Sequence, residues 1–205
     1  MKNTFFETIC IKNRTPLLLA FHQKRMDKTR QECLNLHNAI PLDELIQLDE
    51  ITDNSFWKCR ITYSDVIHKI EYEKYEIKHP KTIKLIEQAD FQYPYKYSDR
   101  SAFETILQNQ KDADEIIICK KGLLTDSSYA NLAFFDGRDW FTPKLYLLNG
   151  VKRKCLLQNK IIHETDISIN NISFFQKIAF LNAMRGLSIS YNFTFGPTQQ
   201  LLHLF

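Results

Sequence analysis

The apolar positions in the first half of the chain change period along its length. Residues 4–11, TFFETICI, alternate and are rich in β-branched and aromatic types, which predicts a strand. From Leu18 onward the apolar residues Leu18, Phe21, Met26, Cys33 and Leu36 recur at helical intervals, with basic residues between them. Pro41 stands where a short helix over PLDELIQLDE would begin, a position at which its fixed φ costs nothing. WKCRITYS and VIHKIEYEKYEIK predict two strands joined by a tight turn near Ser64–Asp65, and TIKLIEQAD predicts a further strand. The expected product is an α+β unit built on an antiparallel sheet.

KHPK and FQYPYKY, each with a proline, interrupt these patterns. They suggest an N-terminal subdomain over residues 1–85, a linker over 86–95 and a C-terminal subdomain over 96–205. In the second half, DRSAFETILQNQ predicts a helix capped by Ser98 or Asp99, and EIIICK a short buried strand. KKGLLT predicts a turn leading into SYANLAFF, which closes a hairpin with DGRDWFTP through Asp136–Gly137. A helix is expected just after Gly150. IIHETDI, a helical turn near 170–174, QKIAFLNAM and LSISYNF complete a second α+β unit. The apolar tail, GPTQQLLHLF, is expected to pack against its own or a sister chain.

Composition narrows the function classes. The 205 residues carry 44% hydrophobic and 25% charged side chains, which suits a folded domain and not a disordered one. A net charge of +3 gives no ground for a nucleic-acid or membrane partner. No apolar run approaches the ~20 residues of a membrane helix. The start, MKNTFFETICIKN, has Glu7 and no small-residue cleavage site, so it does not resemble a signal peptide. Five scattered cysteines without metal-ligand spacing are expected to be free thiols in a reducing cytoplasm, with no metal site. All five glycines lie at position 122 or later. That distribution excludes an N-terminal glycine-rich phosphate loop, in which backbone amides crowd a phosphate. A phosphate would have to be held late in the chain or by side chains.

Spacing alone leaves several residues open. Lys96 lies in FQYPYKYSDR among Tyr93, Tyr95 and Tyr97. Aromatic neighbours can desolvate an ammonium and lower its pKa, as a nucleophilic lysine needs. They can equally form a stacking surface for nucleic acid, or line a strand whose lysine sits in water. Gly150 followed by VKRKCLL is a helix start with freed amides that suit an anion; most such starts hold only water or a cap. Arg25, three residues after His22, sits on a predicted basic helix face, and Asp126 in GLLTDSS takes the place of a turn aspartate.

Taken in order, the pieces resemble the class IV aminotransferase superfamily, the fold-type IV enzymes that use pyridoxal 5′-phosphate (PLP). FETICIKNRTPLLLAFHQKRMDKT is similar to that family's strand, turn and helix with an H-x-x-R-L-like signature, here His22 to Met26. Lys96-Tyr-Ser-Asp99-Arg100 resembles its K-x-x-N-R segment, and Gly122 to Leu132 its G-x-v-t-E-x-x-x-x-N-l segment. Thr142-Pro143, Asn149-Gly150-Val151-Lys152-Arg153 and Phe180-Leu-Asn182-Ala183-Met184 follow in the family's order, the last most like aminodeoxychorismate lyase.

The resemblance implies an α+β fold of the D-amino acid aminotransferase type, two small subdomains with PLP in the cleft between them. Lys96 would form the Schiff base with the cofactor and later shuttle protons. Arg25 would hold the cofactor phosphate, together with the amides of Val151 and Lys152 and with help near Ala183. Asp126 would keep the pyridine nitrogen protonated, and Arg100 would steer a substrate carboxylate or serve a structural salt bridge. A small-molecule amine substrate and a homodimer are implied. The leading activity is 4-amino-4-deoxychorismate lyase, giving 4-aminobenzoate and pyruvate for folate synthesis. The alternatives are an aminotransferase of the D-amino acid or branched-chain type and, in another class, a non-enzymatic binding protein. Three departures stand out. Asp126 replaces the usual glutamate, a strand usually precedes FETI, and the glycine- and arginine-rich loop after the central strand is missing.

Overall fold

The computed structural model describes residues 3–198 and 200–205. Met1, Lys2 and Gln199, which fall within the leader and tail readings above, lie outside the described residues. The chain divides into two compact units. One comprises the described residues up to Ile77 together with Tyr95–Asp99, and the other Lys78–Pro94 with Arg100–Phe205.

The first unit holds strands β1 (Phe5–Lys12) and β2 (Thr15–Pro16), helices α1 (Leu19–Leu34) and α2 (Leu42–Leu45), and strands β3 (Trp57–Tyr63) and β4 (Ile67–Lys74). The antiparallel sheet runs β2-β1-β3-β4. Asn13 and Arg14 both have positive φ, forming a two-residue hairpin loop whose twist matches its strands. Alternate residues of the two central strands, Phe5, Ile9 and Ile11 with Trp57, Cys59, Ile61 and Tyr63, meet Met26 of α1 and Leu42 in one core. Glu7 occupies the same face of β1 and is fully buried. The opposite face carries Phe6, Thr8 and Arg60.

The second unit contains β5 (Thr82–Glu87), α3 (Ser101–Gln108), β6 (Glu115–Lys120), β7 (Leu123–Ser127), β8 (Asn131–Phe135), β9 (Trp140–Pro143), α4 (Val151–Gln158), β10 (His163–Thr165), β11 (Lys177–Leu181), β12 (Ser190–Phe195) and β13 (Leu201–Leu204). The order β8-β11-β12-β13-β5-β6-β7 closes on itself because β7 also pairs with β8. β9 and β10 extend from β8. Closure leaves these seven strands no free edge. Its apolar filling comes from Ile83, Leu85, Ile117, Leu132, Phe134, Ile178, Phe180 and Leu202.

Four expectations change. β5 joins the second sheet, parallel to β6 and antiparallel to β13, and not the first antiparallel sheet. Its alternation predicts a strand but cannot name a partner; Asp114, accepting from the amides of Lys81 and Thr82, helps fix the choice. The division also departs from a cut at 86–95. Tyr95–Asp99 returns to the first unit because its backbone runs along β1, with Phe6 N donating to Lys96 O (3.0 Å) and Ser98 N to Thr4 O (2.8 Å). That commitment removes Ser98 and Asp99 as caps, and Arg100 takes the N-cap position of α3. GLLTDSS is not a turn: Lys121 and Gly122, both at positive φ, make a two-residue hairpin loop, and Asp126 lies on β7. The apolar tail forms β13 within its own chain's sheet.

Candidate active site

In the first unit, His22 and Arg25 stand one turn apart on α1 and converge on Glu7. His22 Nδ1 lies 2.6 Å from Glu7 Oε2, while Arg25 donates from Nε to Oε1 (2.8 Å) and from a terminal nitrogen to Oε2 (2.5 Å). Burial alone would raise the Glu7 pKa. The Arg25 charge and the hydrogen bonds from Arg25 and His22 outweigh it and hold the carboxyl at about 2. Burial pushes the His22 pKa down against the pull of the Glu7 carboxylate, and its Nε2 finds no partner among the described residues. Glu7 was not among the residues expected to matter. The available signal was a carboxylate in the apolar row of a predicted strand, a position that only a paired charge tolerates.

The Glu7 shift fixes a pH dependence. A carboxylate with a depressed folded pKa stabilises the fold above its unfolded value and loses that contribution as pH falls toward 2. From pH 5 to pH 2, wild type should lose on the order of 3 kcal/mol more than Glu7→Gln. Urea unfolding across that range measures the difference, and parallel curves for the two proteins would contradict it.

Lys96 lies opposite Phe6 on the face of β1 that is turned away from the core, with Nζ 4.4 Å from the centroid of the Phe6 ring. It is half-buried. The tyrosines flanking it do other work: Tyr95 and Tyr97 pack their rings against Phe5, and Tyr93 packs on Phe103 in the second unit.

In the second unit, Asp126 is buried and faces Asn131 across the β7–β8 turn. Asn131 Nδ2 donates to its Oδ1 (2.8 Å), and the amides of Leu147 and Leu148 donate to Oδ2 (3.1 and 2.9 Å). No cation stands within ion-pairing distance of this carboxylate among the described residues. Burial, only partly offset by these donors and by the more distant Arg153 charge, pushes its pKa up to about 6. Asn131 also donates to Leu148 O (2.8 Å), so one side chain fixes both the carboxylate and the loop before α4.

That loop ends at Gly150, the N-cap of α4, and no side chain caps the helix. The first-turn amides at Val151 and Lys152 therefore keep their hydrogen-bonding capacity, and the helix dipole favours an anion there. A Cβ on Gly150 would collide with Asn131 Oδ1, with Asn131 Cγ behind it at 3.1 Å. Gly150→Ala is expected to cost about 1–3 kcal/mol of stability by overpacking. Urea unfolding measures it, and wild-type stability would show that Asn131 has room to yield. Ala183 lies in the turn after β11, where Asn182 Oδ1 accepts from Met184 N (2.9 Å). Arg100, at the head of α3, donates to the Ser128 carbonyl and packs its guanidinium 5.1 Å from the Phe103 ring.

A family model described as "Amino-transferase class IV" matches residues 4–189. The chain belongs to the class IV aminotransferase family. It is a PLP-dependent enzyme. Among its relatives, an uncharacterized protein of Haemophilus influenzae is 37% identical over 184 residues, covering 89% of this chain and 98% of that one. A solved structure from Haemophilus somnus 129pt, described as a "putative 4-amino-4-deoxychorismate lyase", superposes with a TM-score of 0.84 at 29% identity. It covers 91% of this chain and 99% of its own. The PLP-bound form of a hypothetical aminotransferase from Mycobacterium tuberculosis has a TM-score of 0.71 at 12% identity, covering 89% and 78%, a likeness of fold alone.

This family member's residues suit PLP on two independent counts. A buried carboxylate without a direct ion pair is what a protonated pyridine nitrogen would satisfy, and an uncapped helix start behind a crowded glycine is what a phosphate would satisfy.

Proposed function

We propose that this class IV aminotransferase family enzyme is a 4-amino-4-deoxychorismate lyase, converting its substrate to 4-aminobenzoate and pyruvate for folate synthesis. The observation that carries the cofactor chemistry is the buried carboxylate of Asp126, which forms no ion pair among the described residues. The lyase over the transaminase reading is supported by the Haemophilus somnus relative and by a "putative aminodeoxychorismate lyase" of Schizosaccharomyces pombe. The latter is 32% identical over 83 residues, 38% of this chain and 36% of that one.

When bound, PLP supplies an aldehyde that exchanges amines and a ring that accepts the electron pair left by proton loss. The residues of this chain have separate tasks. Lys96 Nζ anchors the cofactor and, once the substrate amine has replaced it, takes the proton from the amine-bearing carbon. Asp126 holds the proton at the pyridine nitrogen, and its three donors fix its orientation. The amides of Val151 and Lys152 hold the phosphate, with Ala183 assisting. Arg25 adds a permanent charge in an orientation set by Glu7. Arg100 donates one of its N–H groups to the Ser128 carbonyl, and its remaining donors can steer a substrate carboxylate. A homodimer in the cytoplasm goes with this reading.

The test is to incubate PLP-loaded protein with 4-amino-4-deoxychorismate and, separately, with D- and L-amino acids plus a 2-oxo acid. Stoichiometric 4-aminobenzoate and pyruvate support the lyase. Amino-group transfer without pyruvate release selects the aminotransferase, and protein that stays colourless in added PLP refutes the enzyme reading.

A further inference from the structure

We propose that Arg60 holds the carboxylate of the substrate while Lys96 works on its amine-bearing carbon. The inference rests on the reading of Lys96 as the cofactor-bearing lysine. It starts from the outward face of the first sheet. Phe6 is a buried aromatic residue on that face, and two cations lie against its ring. The Arg60 guanidinium carbon is 3.8 Å from the ring centroid and Lys96 Nζ is 4.4 Å from it. The register explains the meeting. Lys96 lies opposite Phe6, Arg60 is paired with Thr8 two residues further along β1, and the long Arg60 side chain leans back over the ring.

A guanidinium on an apolar platform keeps donors for an anion, and the neighbouring carboxylates form their ion pairs with lysines. Glu71, directly across from Arg60 on β4, is held by Lys69 at 2.7 Å, and Glu73 is held by Lys58. The Arg60 guanidinium makes no hydrogen bond and no ion pair among the described residues; it stacks on the Phe6 ring, and the hydrogen bond from Lys69 lowers the Glu71 pKa, with the Arg60 charge only a minor cause behind it. A planar guanidinium pre-oriented by stacking, with its donors unused, is the group best shaped for a carboxylate. The position also answers a feature of the sequence. The glycine- and arginine-rich loop expected after the central strand is absent, and β3 passes to β4 through Ser64, Asp65 and Val66 alone. The arginine on β3 itself is placed to do the recognising, on a rigid strand.

The experiment uses PLP-loaded wild type, Arg60→Gln and Arg60→Lys, with 4-aminobenzoate and pyruvate as carboxylate probes and aniline as the uncharged control. Calorimetric titration should show at least one of the carboxylates binding to wild type. Its affinity should fall about ten- to a hundredfold in Arg60→Gln, with part of the loss restored by Arg60→Lys, which keeps the charge but not the fork. Aniline binding, cofactor affinity and the borohydride label on Lys96 should not change. Equal carboxylate affinity in wild type and Arg60→Gln overturns the proposal. So does a wild type that takes up PLP but binds neither carboxylate, and so does a variant that loses the cofactor or aniline as well. If wild type never takes up PLP or the label, the Lys96 reading itself has failed, a result separate from these.

Discussion

Lys96→Ala is expected to lose turnover by a factor on the order of 10⁴ or more, because it removes both the anchor for the cofactor and the general base. Its fold should survive. The lysine is half-buried, and the interaction that it gives up with the Phe6 ring is worth about 0.5–1 kcal/mol. Borohydride treatment followed by peptide mapping should find the cofactor on the Lys96 peptide in wild type and nowhere in the variant. Retained turnover, or a label on another lysine, would remove position 96 from the chemistry. Wild-type circular dichroism in the variant ensures that the loss is chemical and not structural.

Much of this was legible in the residues. Alternation placed β1, β3 and β6 within a residue or two and the start of β4 within one, though β4 stops four residues before the end of the alternating run, and the apolar spacing after Leu18 placed α1. Gly150 marked the start of α4 because a glycine before a run of helix formers has few other uses. Partnership was not legible. TIKLIE alternates in the same way whether it joins the first sheet or the second, and only Leu85 and Ile83 meeting Ile117 inside the closed sheet decides it. The return of Tyr95–Asp99 to β1 escaped for the same reason: a few backbone hydrogen bonds carry it, and they leave no mark on side-chain pattern.

At the site, sequence order named the residues but not what holds them. Glu7 orients Arg25, and Asn131 orients Asp126 while excluding any side chain at position 150. Both are polar residues in buried positions, and both are recognisable only once their partners are known. Arg60 shows the converse. As one more basic residue in an alternating strand it carried no signal, and it becomes informative because the carboxylates around it are already paired.

Asp126→Ala is expected to slow proton removal from the substrate carbon by about a hundred- to a thousandfold, the usual loss when a charge-stabilising group is taken from a reacting centre. Labelling of Lys96 should persist, because anchoring needs the aldehyde and the phosphate and not the ring nitrogen. Single-turnover rates measure the effect, and a wild-type rate would mean that another group faces that nitrogen. The pH dependence gives a second, independent check. Burial raises the folded pKa of Asp126 to about 6, above its value in the unfolded chain. Without cofactor, its ionisation therefore destabilises the fold above pH 6, and the penalty is relieved as pH falls toward 4. Apo wild type should gain on the order of 3 kcal/mol relative to apo Asp126→Ala between pH 7.5 and pH 4. A protonated ring nitrogen would supply the missing cation, so the advantage of wild type over the variant in PLP affinity should be largest above pH 6. It should shrink as pH falls through that value, because the neutral carboxyl must then give up its proton before it can pair with an already protonated ring nitrogen. An affinity gap that stays constant from pH 8 to pH 5 would place the Asp126 charge away from the ring, whatever the kinetic result.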